Sequence, residues 1–303
     1  MQTTKPIRWL LAGLAVLALT AAARADWDPN AQDPMNATNH KMHFPQMPDL
    51  ENGYDVVDGL YGSAAGPVGI KILADDWQCT GSGPVTDIHV WSSYNNDFRP
   101  RPPQGSNTMF NLAIYDDVPA SQNPLVGYSM PGNLLWQAYV KPTGERVYAE
   151  NLLEQFYDPN QQGFIGDDTV CWQYNFLFDE ASAFQQEEGK IYWLSVSHTP
   201  DLNGDGIVIF DDLYLPSVGW AYGWKTTDMR FNDAAVWIDP DWQILFPEDA
   251  VPPSGSAWNM LAVPTGDLMM PLDLAFVVTP EPATLALLAV GLGGLVAARR
   301  RKR

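Results

Sequence analysis

Cysteine and positive charge are both scarce in this 303-residue chain. It has two cysteines, Cys79 and Cys171, and 17 Lys and Arg against 36 Asp and Glu. Between residues 26 and 280 the imbalance sharpens to nine basic against 35 acidic residues, a formal charge of −26. Such a surface repels phosphate backbones and anionic lipid and attracts cations, so nucleic acid is excluded as a partner. The two cysteines allow a single disulfide. Each sits beside a Trp-Gln pair, and in an oxidising compartment Cys79 and Cys171 are expected to bond if they lie close together. A bridge closing so long a loop stabilises by about 4 kcal/mol in the loop-entropy model. The other reading is two buried free thiols.

Catalytic signatures are also missing. The chain has no G-x-S-x-G, no H-E-x-x-H, no Walker loop and no dinucleotide fingerprint, and no such nucleophile motif accompanies His89 or His198. His40 and His43 are spaced like metal ligands but lack a nearby third ligand. Asp75/Asp76, Asp116/Asp117, Asp167/Asp168 and Glu187/Glu188 are adjacent pairs. Neighbours in a strand point to opposite faces, so adjacency alone sets no two carboxyls across one bond. These pairs read as solvated turn acids.

Long helical patterns and internal repeats are absent. What is present is a series of short β-branched and aromatic runs punctuated by Gly, Pro, Asn and Asp. Residues 68–74, 86–91, 111–115, 134–140, 170–178, 191–197 and 234–237 read as strands. Ile88 and Val90 alternate with His89 and Trp91, and Val170, Trp172, Tyr174 and Phe176 share one face. Only 147–157 looks helical. The expected class is all-β: an antiparallel β-sandwich, jelly-roll-like, with long loops and one short helix. An irregular arm over 26–53, poor in periodic apolar residues, leads into one domain over 54–278.

Two apolar runs lie at the ends. Lys5 and Arg8 precede Trp9 to Ala23, and Ala23-Arg24-Ala25 has the small residues a signal peptidase needs, so 1–25 reads as a cleavable signal peptide. At the other end, Pro280-Glu281-Pro282 precedes an uncharged run from Ala283 to Ala298 and then Arg299-Arg300-Arg301-Lys302-Arg303. This segment, 279–303, resembles a PEP-CTERM sorting tail, with a motif, a transmembrane helix and a basic end that favours the cytoplasmic side. The resemblance implies recognition and removal by an exosortase-type membrane protease. The protein would be held at the membrane by this helix until processing and then sit at the cell surface or in the extracellular matrix. The apolar run of about 16 residues is short for a lasting anchor. Asp75-Asp76-Trp77-Gln78-Cys79, Ile88-His89-Val90-Trp91, Ile191-Tyr192-Trp193-Leu194 and Gly223-Trp224-Lys225-Thr226 further resemble an uncharacterised family of exported bacterial β domains, which carries no known activity.

One local motif points to a cofactor. Residues 201–212 fit a twelve-residue Ca²⁺ loop, with Asp201, Asn203 and Asp205 at positions 1, 3 and 5, Gly206 at the turn, the Ile207 carbonyl at 7 and Asp212 at 12. The Asp-ending form resembles a dockerin calcium loop, although Ile209 supplies no side-chain oxygen and no second copy exists. The expected role is to rigidify a connection. Aromatic residues are abundant, with twelve each of Trp, Tyr and Phe. Trp91, Trp220 and Trp224 are candidates for stacking on sugar rings, with core packing as the competing role. The sequence therefore suggests a non-enzymatic exported surface or matrix protein, structural or glycan-binding, with extracellular polysaccharide as a candidate partner. A secreted polysaccharide-active hydrolase is the alternative.

Overall fold

A computed structural model describes residues 41–63, 66–99, 109–199, 220–240 and 250–279. The segment read as a signal peptide, the sorting tail beyond Thr279 and the calcium-type loop lie outside these residues. The first strands are β1 (Tyr54–Ser63), β2 (Gly66–Gln78), β3 (Gly83–Val85), β4 (Asp87–Tyr94), β5 (Phe110–Val118) and β6 (Met130–Val140). Then come β7 (Gly144–Asp158), β8 (Gly163–Leu177), β9 (Phe184–Gln186), β10 (Ile191–His198), β11 (Trp220–Thr227) and β12 (Val236–Ile238). The chain closes with β13 (Asn259–Met260), β14 (Ala262–Thr265), β15 (Leu268–Pro271), β16 (Asp273–Leu274) and β17 (Phe276–Thr279). The only helical segments among the described residues are two three-residue 3-10 turns.

The strand pairing closes on itself. β1 pairs with β11, β11 with β4, β4 with β8, β8 with β7, and β7 returns to β1 in parallel. Those five strands make a small barrel, with irregularities in the β1–β11 and β7–β8 pairings. β1 also pairs with β2 through its second half, which leads outward to β10, β5 and the edge strand β6. Gly59, at φ 69, sits in the irregularity between Asp58 and Tyr61 where β1 changes its register on β11. A Cβ there would stand 2.1 Å from the His198 carbonyl oxygen, so the position needs glycine.

The main core fills the space between the barrel wall and the outer strands. Phe110 on β5 meets Tyr174 and Phe176 on β8 and Tyr222 on β11 at ring-centroid distances of 5.0, 5.2 and 5.4 Å. This is the sandwich-like all-β packing that the sequence predicts. β4 is buried along its whole length, which explains why Ile88, His89, Val90 and Trp91 are all apolar or internally paired. On the far face of β2, β5 and β10, a second cluster of Ile72, Tyr115 and Trp193 is covered by Val236, Val251 and Trp258.

The segment 147–157 is a strand, not a helix. It forms most of β7, antiparallel to β8. Three register shifts interrupt the pairing, and Asn151 takes φ 62 inside the second, between Glu150 and Glu154. The first shift slips the inside–outside alternation of β7 by one residue and the second inserts two more, so the apolar spacing departs from a strand's period of two. Long-range pairing then overrides local propensity. Residues 41–53 form no regular strand, but they are pinned to the body. Met42 bridges Cys79, Gln46 bridges Phe276, and both side chains are fully buried.

Candidate functional site

The barrel interior is polar where a core is usually apolar. Asp55 on β1 lies directly opposite Lys225 on β11, and Glu154 on β7 lies opposite Asp168 on β8. Ser93 on β4 faces Gly223 on β11. Lys225 Nζ donates to Asp55 Oδ2 at 3.0 Å and is ion-paired with Glu154 Oε1. All four charged residues are at most 4% exposed. One carboxylate oxygen from each of Asp55, Glu154 and Asp168 lies within 4.8 Å of the others.

Close approach of the strands requires a missing side chain. A Cβ on Gly223 would fall 2.5 Å from the Phe156 ring and 2.9 Å from Asp55 Cβ. Val57, Phe156 and Ala221 fill the adjoining apolar part of this interior. The barrel is thus closed by packing at that end and polar beyond it.

The electrostatics follow from burial. Burial disfavours the Lys225 charge, but the Asp55 and Glu154 carboxylates outweigh that and raise its pKa. Burial first, then the Asp55 charge, pushes Glu154 up to about 7 against the pull of Lys225. The same two causes push Asp168 up to about 9 against the pull of Lys225 and then of the neighbouring Ser93 hydroxyl, although no hydrogen bond of normal geometry closes on either Asp168 oxygen. Three carboxyls and one ammonium therefore share a low-dielectric volume in which they cannot all carry charge without a further cation or protons.

The aspartate pairs are split between environments. Asp168 belongs to the sealed centre, whereas Asp167 is exposed. Asp75 and Asp76 are both fully buried; Asp75 accepts from Gln46 Nε2 and the Leu274 N–H, and Asp76 from Asn232 Nδ2. An open groove of about 690 Å³ beside β5 and β10 is lined by Asp116, Asp117, Leu135, Phe184, Glu187 and Tyr192. Its two aspartates are already engaged. Asp116 accepts from Asn133 through backbone N–H and Nδ2, and Asp117 from Trp193 Nε1. His89 bridges Asp87 and Asn175 at 2.8 and 2.7 Å, fully buried, and His198 is stacked on Tyr222. Burial lowers the His198 pKa to about 3, which keeps it neutral at physiological pH.

The structure corrects two sequence expectations. Cys79 and Cys171 are both free and buried. Cys79 follows the end of β2 with Sγ toward the Gly81 carbonyl, whereas Cys171 lies on β8 within the field of Asp55 and Lys225. The thiols occupy different parts of the core, and burial pushes both pKa values up. Trp91 and Trp224 are fully buried and present no face to a sugar. Trp224 Nε1 donates to the Ala275 carbonyl, and Trp91 packs edge-on to Tyr148. Trp220 lies at the start of β11, its side chain outside the described residues, as are Asp201, Asn203, Asp205, Ile207, Asp212 and the Pro280-Glu281-Pro282 motif. Asp55, Glu154 and Lys225 were not singled out as site residues from sequence. A single charge flanked by apolar residues inside a strand, as in Asp55-Val56-Val57 or Trp224-Lys225, is the signal that marks them.

Comparison with known proteins adds a family and an address. No curated protein and no solved structure matches the chain. Residues 278–302 match the PEP-CTERM protein-sorting motif, which marks the chain for export and handling by an exosortase-type system. Residues 42–279 match the model of a domain of unknown function, DUF7901, spanning the barrel and the outer strands alike. The chain belongs to the DUF7901 family and carries a PEP-CTERM sorting tail.

Proposed function

We propose that the body is a non-enzymatic structural domain of the cell surface or extracellular matrix. The observation that carries this reading is the sealing of the acidic centre, whose three carboxyls are 0, 4 and 2% exposed at Asp55, Glu154 and Asp168. Glycoside hydrolysis needs two carboxyls flanking a sugar with room for water. A barrel this small is filled by its own side chains and admits no polysaccharide strand. The engagement of Asp116 and Asp117 by Asn133 and Trp193 favours the same reading for the open groove. In this account a signal peptide over 1–25 directs export, and the tail tethers the chain to the membrane until an exosortase-type protease removes it. Ca²⁺ held by Asp201, Asn203, Asp205, the Ile207 carbonyl and Asp212 rigidifies the connection between β10 and β11. Asp201→Ala with Asp205→Ala then abolishes a Ca²⁺-dependent rise in melting temperature; an unchanged rise refutes the loop's role.

Glycan binding without turnover is a second reading, favoured by the groove's mixture of Tyr192, Phe184 and Leu135 with acids. One experiment separates the possibilities. The exported protein is mixed with polysaccharide from the cells that make it, and both co-sedimentation and new reducing ends are measured. Neither is expected for a purely structural role. Co-sedimentation alone supports the glycan-binding reading. Reducing ends that disappear in Asp117→Asn overturn the non-enzymatic assignment in favour of a hydrolase.

A further inference from the structure

We propose that the barrel interior holds one divalent cation, bound by Asp55, Glu154 and Asp168 with the Ser93 hydroxyl beside them. This site is separate from the calcium-type loop and does not depend on it.

The first support is how the donor atoms are divided. Lys225 takes Oδ2 of Asp55 and Oε1 of Glu154. That leaves Asp55 Oδ1, Glu154 Oε2 and both Asp168 oxygens, none with a hydrogen-bond partner among the described residues. Ser93 Oγ is fully buried beside Asp168 and closes no hydrogen bond of normal geometry on it. Buried polar atoms are rarely left unmade, because each costs about 1–3 kcal/mol. Five such oxygens in one interior, contributed by four strands, are a ligand set more readily than a packing defect.

Geometry and charge agree with this. One oxygen of each acid lies within 4.8 Å of the other two. An ion with bonds of about 2.4 Å reaches oxygens up to about 4.8 Å apart, the span of a Ca²⁺ site. Three carboxylates and one ammonium leave a formal charge of −2, which one divalent ion cancels. The donors are hard oxygens, which favour Ca²⁺, Mg²⁺ or Mn²⁺ over softer ions. Lys225 acts as a positioning residue, orienting Asp55 and Glu154 by holding one oxygen of each. Because the barrel is sealed, the ion is taken up as the chain folds and is released only when the barrel opens.

The test uses the full chain carrying Asp201→Ala and Asp205→Ala, which removes the loop as a source of bound ion. The chain is refolded from urea with Ca²⁺ or Mn²⁺, incubated in its native state with EDTA, desalted and analysed by elemental mass spectrometry. About one ion per chain is expected to survive native chelation and to be lost when EDTA is present during refolding. Asp168→Asn in the same background is expected to retain none and to melt at the same temperature with and without the ion. Should Asp168→Asn fail to fold, Ser93→Ala serves instead, with an expected loss of roughly tenfold in affinity measured during refolding. The proposal is overturned if refolded protein retains no ion and its melting temperature is indifferent to Ca²⁺, Mg²⁺ and Mn²⁺. It is also overturned if retention is unchanged in Asp168→Asn or, in its place, in Ser93→Ala. Those outcomes would assign the charge balance to protons.

Discussion

Replacing Lys225 with methionine removes the one cation among the described residues that touches Asp55 and Glu154, while keeping most of the side-chain volume. Lys225 has no exposed surface and bridges both carboxyls. Breaking a buried pair by deleting one partner costs about 3–5 kcal/mol, because the remaining charge stays desolvated. Two carboxyls are stranded here, so the upper part of that range applies at pH 7.5. Protonation then limits the damage: Glu154 and Asp168 already have pKa values pushed up to about 7 and about 9, and losing Lys225 raises both further. The cost at pH 5 should therefore be no more than about half of that at pH 7.5, since each proton taken up offsets about 1.4 kcal/mol per pH unit. In a domain of this size 1 kcal/mol moves the melting temperature by about 2–4 °C, so a drop of roughly 10 °C is expected at pH 7.5. Thermal unfolding of wild type and Lys225→Met in metal-free buffer at the two pH values measures this. Adding Glu154→Gln to Lys225→Met should recover part of the loss. A drop below 2 °C at pH 7.5, or an equal drop at both pH values, refutes the electrostatic account of the barrel interior.

Other perturbations have equally definite outcomes. Asp168 and Glu154 have folded-state pKa values above those of ordinary carboxyls, so between about 4.5 and about 9 the folded chain keeps protons that the unfolded chain has released. Stability of the metal-free protein should fall as pH rises through that window, by about 1.4 kcal/mol per pH unit for each retained proton, as read from urea midpoints. Lys225 adds no slope there, because its contribution is lost only as pH rises from the ordinary lysine value toward its raised folded value, above this window. Gly223→Ala drives a methyl into Phe156 and Asp55 and should destabilise by about 1–3 kcal/mol in the same assay. Cys79 and Cys171 should resist alkylation in the native state and both react in urea without reductant; one blocked pair would restore the disulfide. Trp91→Ala should cost about 3–5 kcal/mol of stability, with no specific effect on polysaccharide co-sedimentation.

Much of the fold was legible in the sequence because its strands are written in period-two patterns bounded by turn residues. β4, β5, β8 and β10 fall where Ile88 to Trp91, Asn111 to Tyr115, Val170 to Phe176 and Ile191 to Ser197 place them. β7 was misread for a physical reason: its bulges around Asn151 disrupt the alternation that identifies a strand. The acidic centre was illegible for another. Asp55, Glu154, Asp168 and Lys225 come from four strands spread over 170 residues, and only closure of the ring by the parallel β1–β7 pair gathers them. No local motif encodes that closure. The same holds for the aromatics, since composition shows how many rings the chain has but not which face of a strand they take. Trp224 and Lys225 are neighbours in sequence, yet one lies in the main core and the other inside the barrel.

The central claim is that the acids gathered by the ring are sealed from anything outside. Carbodiimide labelling of carboxyls with a small amine, mapped by mass spectrometry on the native protein, tests it most directly. Exposed acids such as Glu150, Asp167 and Glu188 should be modified rapidly, while Asp55, Glu154 and Asp168 remain unmodified until urea unfolds the barrel. Native-state labelling of any of these three at the rate of the exposed acids would contradict the account and make the centre a site that substrates can reach.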